Sequence, residues 1–210
     1  MPIASVVVPA HQERDAIGAC LESLLGDALP GEFEVAVAAN GCTDGTADVA
    51  RVTAARLGHE VVVLELPEAG KAAAVRAAER HLSTLPRVFV DADVECPTGT
   101  VRSLVDALAS GADVAVPRRV LDLSGASRPA RLYYRFWSDL PWVQSQLTGR
   151  GVYAVGPAAR ATYEQLPDLV AEDRFVTTRV PRDRAAIVDA AVVVRPPARL
   201  PDVVRVRRRV

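Results

Sequence analysis

The sequence predicts an α/β domain built on a mostly parallel central sheet with helices on both faces. Three observations predict it: short continuous apolar runs bounded by turn residues, amphipathic stretches at helical spacing, and the regular alternation of the two. The run IASVVVPA is followed by DAIGACLESLL, in which Ile17, Cys20, Leu21, Leu24 and Leu25 recur on one helical face. FEVAVAAN then precedes TADVARVTAARLG, EVVVLEL precedes GKAAAVRAAERHL, RVFVDAD precedes TVRSLVDALAS, and DVAVPRR closes the series. Repeated β-α-β units require right-handed crossovers and a sheet buried on both faces. From about Arg118 the alternation breaks down. SRPARLYYRFWSDLPWV is aromatic-rich, GRGVYAVG is glycine-rich, and the final RPPARLPDVVRVRRRV turns to proline and arginine, which predicts a frayed or partner-dependent tail.

Composition narrows the function classes. The chain has 210 residues, 50% hydrophobic and 24% charged, enough for one well-buried core in a single domain. A net charge of −1 supplies no basic field, so no nucleic-acid partner is expected. Cys20, Cys42 and Cys96 form no CxxC pair, the chain begins without a basic n-region, and no apolar run approaches a membrane span. A cytoplasmic location is the expectation. Peripheral membrane contact through the aromatic or basic segments is a further one, because Tyr133, Tyr134, Phe136, Trp137 and Trp142 cluster in one stretch. A packed helix covering the sheet is the plainer account of that cluster.

In an open parallel sheet, ligands bind beyond the carboxyl ends of the strands. Those positions carry Pro9-Ala10-His11-Gln12-Glu13, Asn40-Gly41-Cys42-Thr43-Asp44-Gly45-Thr46, Glu68-Ala69-Gly70-Lys71 and Asp91-Ala92-Asp93. In extended backbone Asp91 and Asp93 project from the same face, and two carboxylates so close favour a divalent cation, Mn2+ or Mg2+, whose shell phosphate oxygens would complete. Turn or helix-capping aspartates are the alternative. Asn40 can donate to and accept from a nucleobase. Lys71 opens a helix, where a phosphate could meet it; a solvated lysine is the other reading. Thr43 or Asp44 is placed to cap the helix that follows. No GxGxxG, P-loop or GxSxG motif is present.

VVVPAHQERDAIGACLESL, ANGCTDGT, GKAAAV, VFVDADV and AEDRFVTTRV, in this order, resemble the family-2 inverting glycosyltransferases of GT-A fold over nearly the whole chain. The resemblance implies a nucleotide-diphospho-sugar-transferase-like domain that moves a sugar from a UDP or GDP donor to an acceptor hydroxyl. It divides the chain into a nucleotide-binding half (1–117), an acceptor and catalytic half (118–200) and a basic tail (201–210). By the same resemblance Pro9, His11, Glu13 and Asn40 line the donor nucleoside pocket, Asp91 and Asp93 hold ribose, metal and diphosphate, and Asp173 is the base; Lys71, from its place at the helix start, joins the donor-nucleotide contacts. An inverting transfer needs such a carboxylate to take the acceptor proton, although Glu172 and Asp173 also suit a helix N-terminus electrostatically. Gly149, Arg150, Gly151 and Glu172 are assigned to the sugar and acceptor side, with a tight turn as the plainer account of TGRGVYAVG. Gln12 and Ala39-Asn40 replace the family's common Asn and aspartate pair, which leaves the base open. The Gln-x-x-Arg-Trp motif of processive members is absent. A sugar-phosphate nucleotidyltransferase and a non-catalytic nucleotide-sugar-binding domain are the alternatives, the former disfavoured by the lack of glycine in PAHQERD.

Overall fold

The computed structural model describes residues 1–168 and 172–207; Ala171 of AEDRFVTTRV and the final 208–210 of the basic tail lie outside them. The alternation read from the sequence folds as β1 (Ala4–Ala10), α1 (Ile17–Leu25), β2 (Phe33–Asn40), α2 (Thr46–Leu57), β3 (Val61–Leu66), α3 (Lys71–Glu79) and β4 (Arg87–Val90). After the two-residue β5 (Val94–Glu95) come α4 (Thr98–Ala109), β6 (Val114–Leu121), α5 (Arg128–Ser138) and α6 (Pro141–Ser145). The chain continues through β7 (Val152–Val155), α7 (Pro157–Arg160), α8 (Glu172–Thr177), β8 (Ala185–Val194) and α9 (Leu200–Arg207).

One sheet runs through both halves of the chain, in the order β3-β2-β1-β4-β7-β6-β8-β5. The β1–β2, β1–β4, β2–β3 and β6–β8 pairs are parallel. β7, the VYAV of GRGVYAVG, inserts antiparallel between β4 and β6, so the fifth alternating strand does not join the fourth directly. The register of β6 on β8 shifts between Pro117 and Arg118, at the division between the two halves expected from the sequence.

Side-chain alternation along β1 divides the core. Val6 and Val8 pack with α1 residues Ile17, Leu21 and Leu24 and with Val101 and Leu104 of α4. Val7 points the other way, into a layer with Val75 and Ala78 of α3, Tyr153, and Val176 of α8. A strand buried on both faces must be apolar at every position, as ASVVVPA is but for Ser5, whose hydroxyl donates to Glu34 Oε2 at 2.7 Å. A third cluster joins α5 to α9 through Tyr134, Trp137 and Val203. The expectation of a frayed tail is therefore corrected over Leu200–Arg207: Val203 is 3% exposed, and its burial holds a helix where composition suggested none. Among the described residues, no helix is long and apolar enough to cross a membrane.

Candidate functional site

The carboxyl ends of β1, β2 and β4 and the start of α3 open onto one cleft of about 310 Å3, lined by Pro9, His11, Glu13, Asn40, Ala69, Gly70, Lys71, Asp91, Ala92 and Asp93. The four strand-end loops chosen from the sequence thus converge, because parallel strands carry all their carboxyl ends to one edge. Backbone positions at Ala69, Gly70 and Ala92 complete the wall without any polar side chain to mark them.

The acidic motif does not adopt the extended geometry expected of it. Val94 N–H donates to Asp91 C=O at 3.0 Å, closing a turn over Asp91–Val94, and the Cys20 thiol reaches the same carbonyl at 3.8 Å. Asp91 N–H donates to Gly151 C=O at 2.8 Å, extending the antiparallel contact with the β7 side by one residue beyond Val90 before the turn bends the chain away. The turn nevertheless brings both carboxylates to the cleft. Loss of hydration and then the Asp91 charge push the Asp93 carboxyl above its ordinary range. Loss of hydration, with Asp93, Asp44 and Asp91 behind it, does the same to Glu13.

Lys71 is the cation of the cleft. Its Nζ lies 2.6 Å from Asp91 Oδ1 and also forms an ion pair with the buried Glu172 at the start of α8. Enclosure alone would lower the ammonium's pKa; Asp91 and Glu172 outweigh it and hold the pKa raised. Burial dominates for Glu172, whose carboxyl is pushed up despite the pull of Lys71. Lys71, 41% exposed at its side chain, is not an isolated lysine: its two ion pairs tie the first half of the chain to the second.

Asn40 departs from the base-reading role. Only 3% exposed, it donates from Nδ2 to Ala10 C=O at 2.7 Å and Ala38 C=O at 3.3 Å, and accepts at Oδ1 from Gly70 N–H at 2.9 Å. Both amide hydrogens are spent on the backbone, so the side chain stitches β1, β2 and the α3 entry together. Its own carbonyl accepts from His11 Nδ1 at 2.6 Å, which puts the ring hydrogen on Nδ1 and leaves Nε2 for a ligand. Beside it Gly41 has φ +58, and a Cβ there would come within 2.7 Å of Ala69 N, so only glycine lets these loops meet. Asp44 plays the turn role expected of it, accepting from Thr46 N–H at 3.0 Å at the start of α2.

Arg150 is likewise corrected. Buried at 4% exposure, its guanidinium donates to the carbonyls of Gln146, Pro117 and Gln144 and is absorbed by backbone rather than offered to a sugar or acceptor. Burial, with Arg119 and Arg182 nearby, lowers its pKa to about 10. It pins a loop that makes two close contacts. Gly149 N–H donates to Asp173 Oδ2 at 2.6 Å, and Gly151, with φ +71, passes Asp91 so closely that a Cβ would lie 2.5 Å from Val94 Cγ2. Asp173 Oδ1 accepts from Arg174 N–H at 2.7 Å. Asp173 is not among the residues that line the cleft. Arg119, which the sequence reading did not single out, donates to Gly149 C=O at 2.6 Å and covers the Trp137 ring at 4.4 Å. Its place on β6 beside an aromatic helix was visible; the contact across 30 residues was not.

Oxygen-only carboxylates suit a hard divalent ion. Among the described residues, no group of three His, Cys, Asp or Glu could enclose one. Among the described residues of the cleft, the Asp91–Asp93 pair suits an ion whose remaining ligands are phosphate oxygens.

The architecture places the chain in a class. It matches GT-A glycosyltransferase structures. It resembles a mannosyltransferase, PcManGT from Pyrobaculum calidifontis, solved with GDP-Man and Mn2+, with a TM-score of 0.73 and 23% identity over 99% of this chain and 61% of that one. It also resembles glucosyl-3-phosphoglycerate synthase from Mycobacterium tuberculosis, solved with Mn2+, UDP and glucosyl-3-phosphoglycerate, with a TM-score of 0.66 and 22% identity over 98% of this chain and 76% of that one. The model of glycosyl transferase family 2 matches residues 5–157, and the chain belongs to that family. An uncharacterized glycosyltransferase of M. tuberculosis is 35% identical over 115 residues, 55% of this chain and 48% of its own length. An undecaprenyl-phosphate 4-deoxy-4-formamido-L-arabinose transferase of Edwardsiella ictaluri is 29% identical over 113 residues, 52% of this chain and 35% of its own length. The chain thus spans about half or less of the curated relatives it matches.

Proposed function

We propose that this chain transfers a sugar from a nucleoside diphosphate donor to an acceptor hydroxyl, with inversion at the anomeric carbon and with Mn2+ or Mg2+ bound. The observation that carries this reading is the convergence of His11, Glu13, Lys71, Asp91 and Asp93 on one cleft in a family-2 chain. The nucleoside lies against Pro9, His11 and Glu13, with His11 Nε2 and the Glu13 carboxyl as the groups left to read the base; Asn40 shapes this wall through the backbone. UDP and GDP sugars both suit these groups. The diphosphate lies toward Lys71 and the α3 N-terminus, where the ammonium and the helix dipole favour negative charge.

Asp91 and Asp93 would hold the divalent ion, which when bound neutralises charge on the diphosphate. Asp173 takes the proton of the acceptor hydroxyl; the acceptor oxygen bonds to the anomeric carbon as the bond to the diphosphate oxygen breaks on the opposite side, and the diphosphate leaves with the electron pair. Two backbone amides, those of Gly149 and Arg174, hold the Asp173 carboxylate in one orientation. Lys71 is shared between Asp91 and Glu172, so a donor phosphate competes for an ammonium that is already oriented.

A thermal-shift panel of UDP-, GDP- and dTDP-sugars with and without Mn2+ tests the reading, since a ligand that binds only the native state raises its stability by RT ln(1 + [L]/Kd). One donor is expected to stabilise the wild type in a Mn2+-dependent way. Asp93→Asn is expected to lose that increment and to lower transfer roughly a hundredfold or more while its own melting temperature stays near wild type. Metal-independent donor stabilisation, or near wild-type transfer by Asp93→Asn, would refute the metal assignment.

A further inference from the structure

We propose that the outer face of α5, continued by Trp142 of α6, is a docking surface for an anionic lipid bilayer. α5 buries Ala130, Tyr134 and Trp137 against Val143 and Val203. On its opposite side Leu132 and Phe136, one turn apart, are 72% and 70% exposed, and Trp142 is 53% exposed. A single exposed leucine is ordinary in a soluble protein. Here the spacing of Arg128, Leu132, Arg135 and Phe136 puts two exposed arginines and two large apolar side chains on one stripe of the same helix.

The charge on that stripe chooses its occupant. RPARLYYRFWS contains no carboxylate, and among the described residues neither Arg128 nor Arg135 forms an ion pair. Two-fold pairing of this face with a second copy would bring the arginines of both copies together with no carboxylate of α5 to offset them. A nucleic acid would match the arginines and leave the leucine and phenylalanine without apolar contact. A bilayer satisfies both, with Leu132, Phe136 and Trp142 in the acyl boundary and the guanidinium groups among lipid phosphates. The surface lies outside the donor cleft, so nucleotide binding reports on the fold independently of lipid.

The test is co-sedimentation of the full chain with vesicles of phosphatidylcholine alone or of equal parts phosphatidylcholine and phosphatidylglycerol, at low and high salt, with tryptophan emission read in parallel. Binding is expected to the mixed vesicles only, to weaken with salt, and to shift the emission to the blue. Leu132→Ser with Phe136→Ser should lower partitioning roughly tenfold. Arg128→Gln with Arg135→Gln should remove the preference for anionic lipid, and Trp142→Phe should remove most of the emission shift, because Trp137 is 8% exposed and already packed. Each variant should keep the wild-type melting temperature and donor-induced shift. No association with mixed vesicles at low salt would overturn the proposal. So would undiminished association of both double variants, or a concentration-dependent dimer that Phe136→Ser dissociates. Loss of donor binding in the wild type would count against the proposed function alone.

Discussion

At the scale of single residues, glycines separate steric demand from backbone demand. Gly151 and Gly45 both have positive φ, +71 and +89, but a Cβ at Gly151 would lie 2.5 Å from Val94 Cγ2, whereas nothing lies within 4 Å at Gly45. Gly45→Ala is expected to cost about 1 kcal/mol, the penalty of the left-handed conformation alone. Gly151→Ala adds a clash with a buried valine and should cost about 3 kcal/mol, seen as a clearly lower denaturation midpoint. Equal costs at the two sites would mean that β7 relaxes away from Val94. Arg119 gives a second residue-scale expectation. Under the proposed function, Arg119→Met frees the Gly149 carbonyl and with it the amide that orients Asp173. Turnover should fall between about tenfold and a hundredfold with the donor KM nearly unchanged, and Arg119→Lys should recover part of it. A change in donor KM of the same size would instead make Arg119 a donor-binding residue.

At the scale of elements, strands and helices form where periodicity put them, and their ends are set by contacts that periodicity does not carry. FEVAVAAN is β2 to the residue, a short β-branched and apolar run bounded by turn residues. RVFVDAD stops three residues early as a strand because Val94 N–H closes a turn on the Asp91 carbonyl, just after the Asp91 amide has made the last contact with Gly151 C=O. Asp91 and Asp93 therefore share the cleft through a turn rather than through strand alternation. In the same loop Gly149 N–H holds the Asp173 carboxylate, Gly151 C=O holds the Asp91 amide, and Arg150 anchors the segment between them.

At the scale of the molecule, the opposite edge of the sheet is clamped by a carboxylate. Glu34 at the start of β2 accepts from Ser5 Oγ, from Ser83 Oγ and N–H, and from Thr84 N–H, at 2.6 to 2.8 Å. Burial would raise its pKa, but these hydrogen bonds outweigh burial and hold it at about 2, against an ordinary value of 4.5. A folded-state pKa below the unfolded one means that this contribution to stability is present above 4.5 and is lost as pH falls toward 2. Glu34→Gln should destabilise the fold by about 2 kcal/mol at neutral pH. The difference from wild type should shrink through that acid window; a gap that stays constant down to the lower limit would show that Glu34 does not titrate with unfolding.

The sequence by itself determined the α/β class, the alternation up to β6 and the loops that gather at one sheet edge. These rest on local apolar period and on the fixed hand of β-α-β crossovers, both of which are written in neighbouring residues. It also marked Lys71, Asp91 and Asp93, because charged residues directly after buried strands have no core role to fill. Only the tertiary structure decided that the Asn40 amide is spent on Ala10, Ala38 and Gly70, that Arg150 is consumed by carbonyls, that Arg119 supports Gly149, and that Val203 holds a helix in the tail. Each of those outcomes depends on at least one partner distant in the chain, such as Ala10 for Asn40, Pro117 for Arg150, Gly149 for Arg119 and Trp137 for Val203, and a polar side chain does not reveal in its own sequence whether a buried backbone group or a ligand will claim its hydrogen bonds.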